Sequence, residues 1–422
     1  MRHFFCACLI GLLTAGIFIQ PVSLQASETQ MTGSRLRWPK GPITIYASSS
    51  LLQPAPGIPL GSDVFGALER SLKRWEDVAD IEFRLRRSDD LSVSPSGPAG
   101  DGVSLVTIAP VAENMLLFTK ERSKASALTR VFFDRQGRIS EADIVLNPTF
   151  QFSTDRTFGT YDLESVFTHE IGHLLGLGHS NIGSSVMFDG VPVNTLFEPS
   201  DRFGLLSSQD LASIRGLYGA GLSEPDCCGT LNGHLTLPNS NPKRDILIWA
   251  QDRKTGAVAQ AVAPKNGSFE LNGLTYGNYD IFAQFDDLET SFGAFSLGGA
   301  SVDFGGSKFA DKPRDATPVD FRIEAIGIED QLSRRAVRVQ RGVGYSLRVG
   351  GRGLDAKGLA FGTTSRFIIV RRGSRSAQAF EGGIPAVTLY LNLDNSIPSG
   401  EYSLFAESGG LRRYLVGAIS VE

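Results

Sequence analysis

The sequence predicts an α+β domain followed by two all-β immunoglobulin-like sandwich domains. The character of the 422-residue chain changes twice along its length. Before Gly219, segments with helical spacing are mixed with segments that alternate like strands. After Gly219, short β-rich segments separated by Gly, Asn or Pro dominate, which is typical of a sandwich, and a second such series begins near Ile326. A chain of this length fits two or three domains better than one core.

The first 26 residues read as a secretory signal peptide. Arg2 precedes an apolar run from Phe4 to Ile19, and the small residues around Ala26 suit cleavage. A membrane anchor is the alternative, but the run is shorter than the roughly 20 residues that span a bilayer. We therefore expect a protein secreted to the extracellular space or periplasm, with no membrane span after cleavage.

Segments with a helix or strand pattern occur in all three predicted domains. In the first domain, residues 35–220, "ITIYAS" and "IEFRLRR" alternate like strands, and "SDVFGALERSLKRWEDVA" between them has helical spacing. The second domain, residues 228–324, contains "DILIWAQD", "AVAQAVAP", "GSFELNGL" and "NYDIFAQF". The third domain, residues 325–422, contains "YSLRVGG", "RFIIVRR", "AVTLYLNL" and "EYSLFAES".

Composition and charge narrow the function. The chain is 41% hydrophobic and 20% charged, as globular proteins are, and its net charge of −4 gives no reason to expect nucleic acid as a partner. Residues 325–422 nevertheless hold 13 Lys or Arg against 8 Asp or Glu, a net of +5. Weak docking of this basic C-terminal domain to an anionic surface is one interpretation, and a solvated face is the other.

The cysteines do not predict a disulfide framework. Cys6 and Cys8 leave with the signal peptide, so the mature chain keeps only Cys227 and Cys228. Adjacent cysteines would close a strained ring if they bonded to each other. We therefore expect a turn with two small buried side chains.

The stretch "FTHEIGHLLGLGHS", residues 167–180, predicts a metal site. On a helix, His169 and His173 project from one face because they are four residues apart. If the helix continued, His179 would lie about 15 Å along the axis from His169, beyond the reach of one ion. Gly176 and Gly178 allow the chain to turn and return His179 as a third ligand. Three imidazoles with an open fourth position describe a catalytic zinc site.

Two further residues complete the predicted site. Asp162 suits the N-cap of the helix. Glu170, beside a ligand but pointing differently, is placed to act as the general base toward a zinc-bound water.

At these residues the sequence resembles the metzincin zinc proteases and, among them, the matrixins. The pattern HExxHxxGxxH is followed by Ser180, and Met187 in "SSVMF" lies where the family has its methionine turn. The resemblance extends from Leu36 to Gly219. It implies a twisted mixed sheet with an active-site helix, one catalytic Zn²⁺, and a metalloendopeptidase acting on protein or peptide substrates.

Some positions depart from the family pattern. "FDGVPV" follows Met187 in place of methionine, any residue, proline, so the wall of the main specificity pocket differs. No histidine occurs between Ser27 and Thr168, so we expect no second zinc. Ca²⁺ near Asp134, Asp143 or Asp155 is a weaker hypothesis, because these acids also suit loops and turns.

The resemblance also implies where substrate lies. It makes "GRISEADIVLN" an edge strand with which an extended peptide could pair, although a protected sheet edge fits the sequence equally well. The middle domain has a weaker resemblance to β-sandwiches of the carboxypeptidase regulatory type, with Phe269, Leu274 and Tyr279 in its core.

Three functions fit the sequence. The first is a secreted zinc endopeptidase with two accessory β-domains. The second is a secreted adhesin or binding protein with a vestigial metal domain, and the third is a zinc hydrolase of a non-peptide amide. Because every candidate site residue precedes Gly219, we expect a chain ending near Gly221 to fold and to cleave short peptides.

Overall fold

The structure is a computed structural model, and most of the chain beyond residue 34 is described. The signal-peptide prediction lies outside the described residues, as does most of the segment between the second and third predicted domains. The described residues are 35–52, 55, 57–95, 100–189, 191, 194, 205–221, 227–236, 246–264, 266–285, 288–299, 301–309, 321–328, 332–356, 358–372, 378–379 and 385–422.

The N-terminal part is built on a five-stranded sheet with the order β2-β1-β3-β5-β4. Strand β4 is antiparallel to β5, whereas the other neighbours are parallel. Two short parallel strands, β6 and β7, lead into the third helix. The strands are β1 Ile43–Ser48, β2 Phe83–Ser88, β3 Leu105–Thr107, β4 Ala127–Phe133, β5 Ile139–Leu146, β6 Phe152–Ser153 and β7 Tyr161–Asp162.

Helices cover this sheet and share its core. They are α1 Val64–Glu76, α2 Ala112–Met115, α3 Leu163–Leu174 and α4 Ser208–Tyr218, with short 3₁₀ turns at Ser49–Leu51, Leu116–Phe118 and Lys120–Lys124. The fully buried Trp75 of α1 donates from Nε1 to the carbonyl of Thr168 at 3.0 Å, which joins α1 to α3. No helix within the described ranges combines the length and apolar character needed to cross a membrane.

Two pairs of sheets follow, in the C-terminal β-region (residues 227–422). The first pair has the orders β10-β9-β12-β13 and β11-β8-β14, and the second has β15-β17-β21-β19 and β16-β23-β22-β18, with β20 beside β21. The strands are β8 Gly229–Thr236, β9 Ile246–Asp252, β10 Val258–Val262, β11 Ser268–Leu274, β12 Gly277–Phe285, β13 Leu288–Leu297, β14 Ser301–Lys308, β15 Ala325–Ile328, β16 Val337–Val339, β17 Gly344–Gly350, β18 Ala360–Thr363, β19 Ile368–Arg372, β20 Gln378–Ala379, β21 Pro385–Leu393, β22 Gly400–Ser408 and β23 Leu411–Val421.

Each pair of sheets encloses its own hydrophobic cluster. In the first pair, Phe269 and Leu274 of β11 share a cluster with Tyr279 of β12, and all three side chains are buried as the sequence predicts. The eight β-segments named from the sequence each coincide with a strand. The agreement arises because every second side chain of a strand is buried against the facing sheet. The alternation of apolar and polar residues in the sequence therefore identifies the strand and its buried face.

The prediction of an edge strand at "GRISEADIVLN" is wrong. Strand β5 lies between β3 and β4, so both of its edges are occupied. Its residues are almost all buried, as expected for an interior strand. The two edge strands of the sheet are β2, Phe83–Ser88, and β4, Ala127–Phe133, and β4 is the one beside β5.

The expectation for the two cysteines is also wrong. Cys227 and Cys228 are bonded to each other, and both are half-buried at the start of β8. The sulfur of Cys227 also lies 3.7 Å from the carbonyl oxygen of Gly273. The bond joins neighbours and closes no long loop, so it does not cross-link distant parts of the chain.

Candidate active site

Helix α3 places two histidines and a glutamate at the centre of the N-terminal part. Its N-cap is Asp162, whose carboxylate accepts from the Ser165 amide at 2.8 Å, as predicted. His169, Glu170 and His173 are each about 95% buried. A buried helix fixes the direction of these side chains, because their rotamers are limited by the packing around them.

The third histidine returns to the first two after a turn at Gly176. This residue has φ +93°, and an added Cβ would lie 2.3 Å from the carbonyl oxygen of Leu36. Only glycine meets both conditions, so the helix ends where the sequence predicts. Nε2 of His179 then lies 3.2 Å from Nε2 of His173, and the nearest ligand nitrogens of all three histidines lie within 4.8 Å of one another.

Backbone carbonyls orient the imidazoles. Nδ1 of His169 lies 2.7 Å from the carbonyl oxygen of Val186, and Nδ1 of His173 lies 2.8 Å from that of Leu177. A carbonyl can only accept, so each Nδ1 carries the proton and each Nε2 presents its lone pair to the cluster.

Burial keeps these rings neutral. It lowers the pKa of His169 to about 3, with the neighbouring His179 adding to the effect, and it holds the pKa of His173 well below its ordinary value. Burial also lowers the pKa of His179, while Asp189, at 3.8 Å from its Nδ1, acts in the opposite direction. Neutral imidazoles are the form that binds a metal.

The cluster fits zinc. Two nitrogens held at about 2.0–2.1 Å from a tetrahedral ion lie roughly 3.3 Å apart, close to the 3.2 Å between His173 and His179. Two lone pairs facing each other at that distance repel unless a cation lies between them. Among the described residues, this is the one group of three or more His, Cys, Asp or Glu with metal-binding spacing.

Glu170 lies against β4, one of the two edge strands of the sheet. The hydroxyl of Thr129 in β4 donates to its Oε2 at 2.5 Å. Burial raises the pKa of Glu170 to about 7, and the bond from Thr129 opposes this rise. The contact of Thr129 was not predicted from the sequence. Thr129 lies 41 residues before Glu170, and the two meet only because strand β4 packs against α3.

Thr129→Val tests this contact. The variant keeps the shape of the side chain but removes the donor, so we expect the turnover of a peptide substrate to fall by roughly 2- to 10-fold, the worth of a hydrogen bond of about 1 kcal/mol. Thr44→Val, a half-buried threonine of β1 in the same sheet, is the matched control. Equal turnover in the two variants would show that the Thr129 hydroxyl does not support Glu170.

Met187 packs beneath the helix. A Cβ added at Gly172 would lie 2.2 Å from the Met187 sulfur, so the helix has a glycine where the methionine approaches it. The neighbouring Val186 amide donates to the buried Asp210 of α4 at 2.8 Å, and Ser185 donates to the same carboxylate. Asp210 therefore fixes the loop whose Val186 carbonyl orients His169, a role that the sequence alone did not reveal.

The acids considered for Ca²⁺ have protein partners. Asp134 pairs with Arg138 at 2.6 Å, and Asp155 accepts from Thr157. Asp143 is fully buried and accepts from the Leu105 amide at 3.1 Å. None of the three belongs to a cluster of three or more potential ligands in the described ranges.

Comparison with known proteins agrees with this geometry. Residues 118–219 match the family description Matrixin. The chain is 30% identical over 191 residues to Metalloendoproteinase 5-MMP of Arabidopsis thaliana, which covers 43% of this chain and 46% of the relative. It is 30% identical over 211 residues to Metalloendoproteinase 2-MMP of the same plant, covering 49% and 46%. With Matrix metalloproteinase-19 of Mus musculus, it shares 31% identity over 162 residues, covering 37% and 25%.

The helix, its turn and the methionine beneath it have the arrangement that characterises the metzincin class of zinc peptidases. Within that class, the chain carries a matrixin-like catalytic domain, the kind of domain found in zinc metalloendopeptidases. The chain spans less than half the length of these two plant relatives. The match to the Matrixin family, residues 118–219, does not extend into the C-terminal β-region.

Proposed function

We propose that the protein is a secreted zinc-dependent endopeptidase in which His169, His173 and His179 hold the metal and Glu170 is the general base. The observation that carries the proposal is the convergence of three imidazoles, the buried His169 and His173 of α3 and the more exposed His179, beside the buried carboxylate of Glu170 on the same helix. A zinc ion bound there supplies a Lewis acid that polarises water and the substrate carbonyl.

The residues of the chain divide the remaining work. Glu170 takes a proton from the water that attacks the carbonyl carbon, and it delivers that proton to the leaving nitrogen as the C–N bond breaks. Thr129 holds the carboxylate in position, and the carbonyls of Val186 and Leu177 fix the two imidazoles of α3. The buried surroundings strengthen each of these interactions, because little water competes with them.

The open edge of β4 is the place where we propose that an extended substrate binds. Strand β4 pairs with β5 on one side only, and its Thr129 contacts Glu170. A peptide added along this edge would run past the carboxylate and the imidazole cluster. The edge strand therefore supplies backbone hydrogen bonds, and the cluster supplies the chemistry.

The alternatives differ in what they require of Glu170. A vestigial metal domain in an adhesin has no need for a buried carboxylate with a dedicated hydroxyl partner, so the contact with Thr129 favours an enzyme. Hydrolysis of a peptide bond and hydrolysis of a non-peptide amide bond require the same catalytic residues. Digestion of a peptide library, read by mass spectrometry, would separate them, because a hydrolase of other amides would leave the library intact.

The role of the third predicted domain in docking to an anionic surface stays a prediction. Several of its guanidinium groups are engaged within the chain, for example Arg338 with Glu422 and Arg412 with Glu407. The domain limits 35–220, 228–324 and 325–422 are likewise proposals, as is the immunoglobulin-like character of the second and third domains. Separate hydrophobic clusters support three domains, although Phe321 and Ile323 belong to the cluster of the third.

Metal content gives a direct test of the site. We expect about one zinc per chain, and His173→Ala should weaken zinc binding sharply because it removes one of three protein ligands. His234→Ala is the control, since His234 is exposed on β8, lies outside the imidazole cluster and hydrogen-bonds through Nδ1 to Ser268. Competition with a chelator measures the affinity. Equal affinity in both variants would exclude His173 as a ligand.

A further inference from the structure

One loop touches both the imidazole cluster and the C-terminal β-region. We call residues Ile182–Phe188 the bridging segment. Its Val186 carbonyl orients His169, and its Met187 packs beneath α3. At its other end, Ile182 is 1% exposed and belongs to a hydrophobic cluster with Trp249, Val258, Ala261, Tyr414 and Val416. The segment is thus packed between the site and strands β9, β10 and β23.

Two glycines show how closely the surfaces meet. A Cβ added at Gly183 would lie 2.6 Å from the Ala336 amide nitrogen and 2.6 Å from the Arg334 carbonyl oxygen. A Cβ added at Gly417 of β23 would lie 2.6 Å from Cγ2 of Ile182. Neither position has room for a side chain, so the bridging segment is in direct atomic contact with the third predicted domain on two sides.

Arg335 adds a polar contact at the end of the segment. Its guanidinium carbon lies 5.1 Å from the centre of the Phe188 ring, within the range of a cation–π interaction. A side chain of the third predicted domain therefore packs against the end of the bridging segment.

A second route runs through α4. Asp210 holds Val186, and the preceding residues of the same helix bond to the C-terminal β-region. The Ser208 amide donates to the buried Glu401 of β22 at 3.1 Å, and Gln209 accepts from the Ala261 amide of β10 at 2.6 Å. Both routes end at the loop that orients His169.

We propose that the C-terminal β-region positions His169 through the bridging segment, with Gly417 and Arg335 as positioning residues. It follows that even a short peptide, which reaches only the active site, depends on residues outside the matrixin-like domain. This inference rests on the proposed function, which supplies the metal and the reaction. It differs from the sequence-based expectation that the first domain would act alone.

Gly417→Ala in the full chain is the principal test, and Gly410→Ala is its matched control. Both glycines belong to the β22–β23 hairpin and have positive φ, +61° and +79°, so both alanines meet the same backbone strain. An alanine at 417 also collides with Ile182, whereas nothing lies within 4 Å of a Cβ at 410. The difference between the variants therefore isolates the contact with the bridging segment.

We expect kcat on a short peptide to fall roughly 10- to 100-fold in Gly417→Ala, with a smaller change in KM, because small displacements at a catalytic centre have effects of this size. The visible absorption of the Co²⁺-substituted protein and its Co²⁺ affinity should also change, since they report the ligand geometry. Gly410→Ala should match the wild type in each measurement. Wild-type kcat and Co²⁺ absorption in Gly417→Ala would overturn the proposal.

A second pair of variants tests the proposal independently if Gly417→Ala does not fold. Arg335→Ala should lower kcat by about 2- to 10-fold and alter the Co²⁺ absorption, and the neighbouring Arg334→Ala, on an exposed side chain, should do neither. Identical behaviour of the two arginine variants would count against positioning. If the wild type cleaves no peptide, the proposed function fails, while the Co²⁺ spectra and affinities still decide whether the β-region positions His169.

Discussion

Replacing Glu170 by Ala is expected to lower the turnover of a short peptide by about 10²–10⁴-fold, the contribution that a general acid–base group typically makes. Zinc content and fold should be unchanged. The three imidazoles are oriented by Val186, Leu177 and the turn at Gly176, and none of these contacts involves the Glu170 side chain. The variant therefore separates proton transfer from metal binding.

The measurement combines kcat, metal analysis and circular dichroism on the same preparation. Glu170→Gln is a useful companion, because it keeps the size of the side chain and the bond to Thr129 but cannot take a proton. Both variants should lose turnover to a similar degree. Normal hydrolysis by either one would refute the role of Glu170, and loss of zinc would mean that the carboxylate supports the metal site.

The local features of the active site were predictable from the sequence. Helical spacing, the Asp162 cap and the turn at Gly176 are decided by residues within a few positions of one another, and the structure has all three. The convergence of His169, His173 and His179 follows from that local geometry. Short-range rules were sufficient here because the site is built almost entirely from 18 consecutive residues, 162–179.

Contacts made through the sheet were not predictable in the same way. Strand pairing joins residues far apart in sequence, so an apolar run such as β5 does not reveal whether it is central or at an edge. The assignment of the edge to residues 137–147 failed for this reason, and the contact of Thr129 with Glu170 went unnoticed with it. Asp210 completes the capping box of α4 with Ser207, which is a local feature, whereas its bond to Val186 depends on tertiary packing.

The arrangement of the β-sheets around the catalytic domain was beyond sequence reasoning altogether. Nothing in the sequence around Gly183 or Gly417 indicates a close contact, and only their neighbours in space show why a side chain would not fit. The sequence-based expectation of an autonomous first domain rested on where the candidate ligands lie. It could not include the surfaces that hold those ligands in place.

The second large effect is therefore expected from shortening the chain at Gly221. Such a chain would expose Ile182, whose burial contributes about 1.5–3 kcal/mol. It would also lose the hydrogen bonds of Ser208 and Gln209 to the β-region, which contribute about 0.5–1.5 kcal/mol each. Helix α4 would also lose its packing against β10 and β11. Together these losses are a large part of the 5–15 kcal/mol that stabilises a typical fold.

We expect the shortened chain to melt at a lower temperature than the full chain and to hydrolyse a short peptide at least about tenfold more slowly, because the loop that orients His169 is no longer held on its outer side. Thermal unfolding followed by circular dichroism, and kcat on one peptide with saturating zinc, give the two comparisons. Full-length protein carrying Gly410→Ala serves as a control for handling and metal loading. A shortened chain with the full chain's melting temperature and kcat would show that the matrixin-like domain is autonomous and that the β-region serves another purpose.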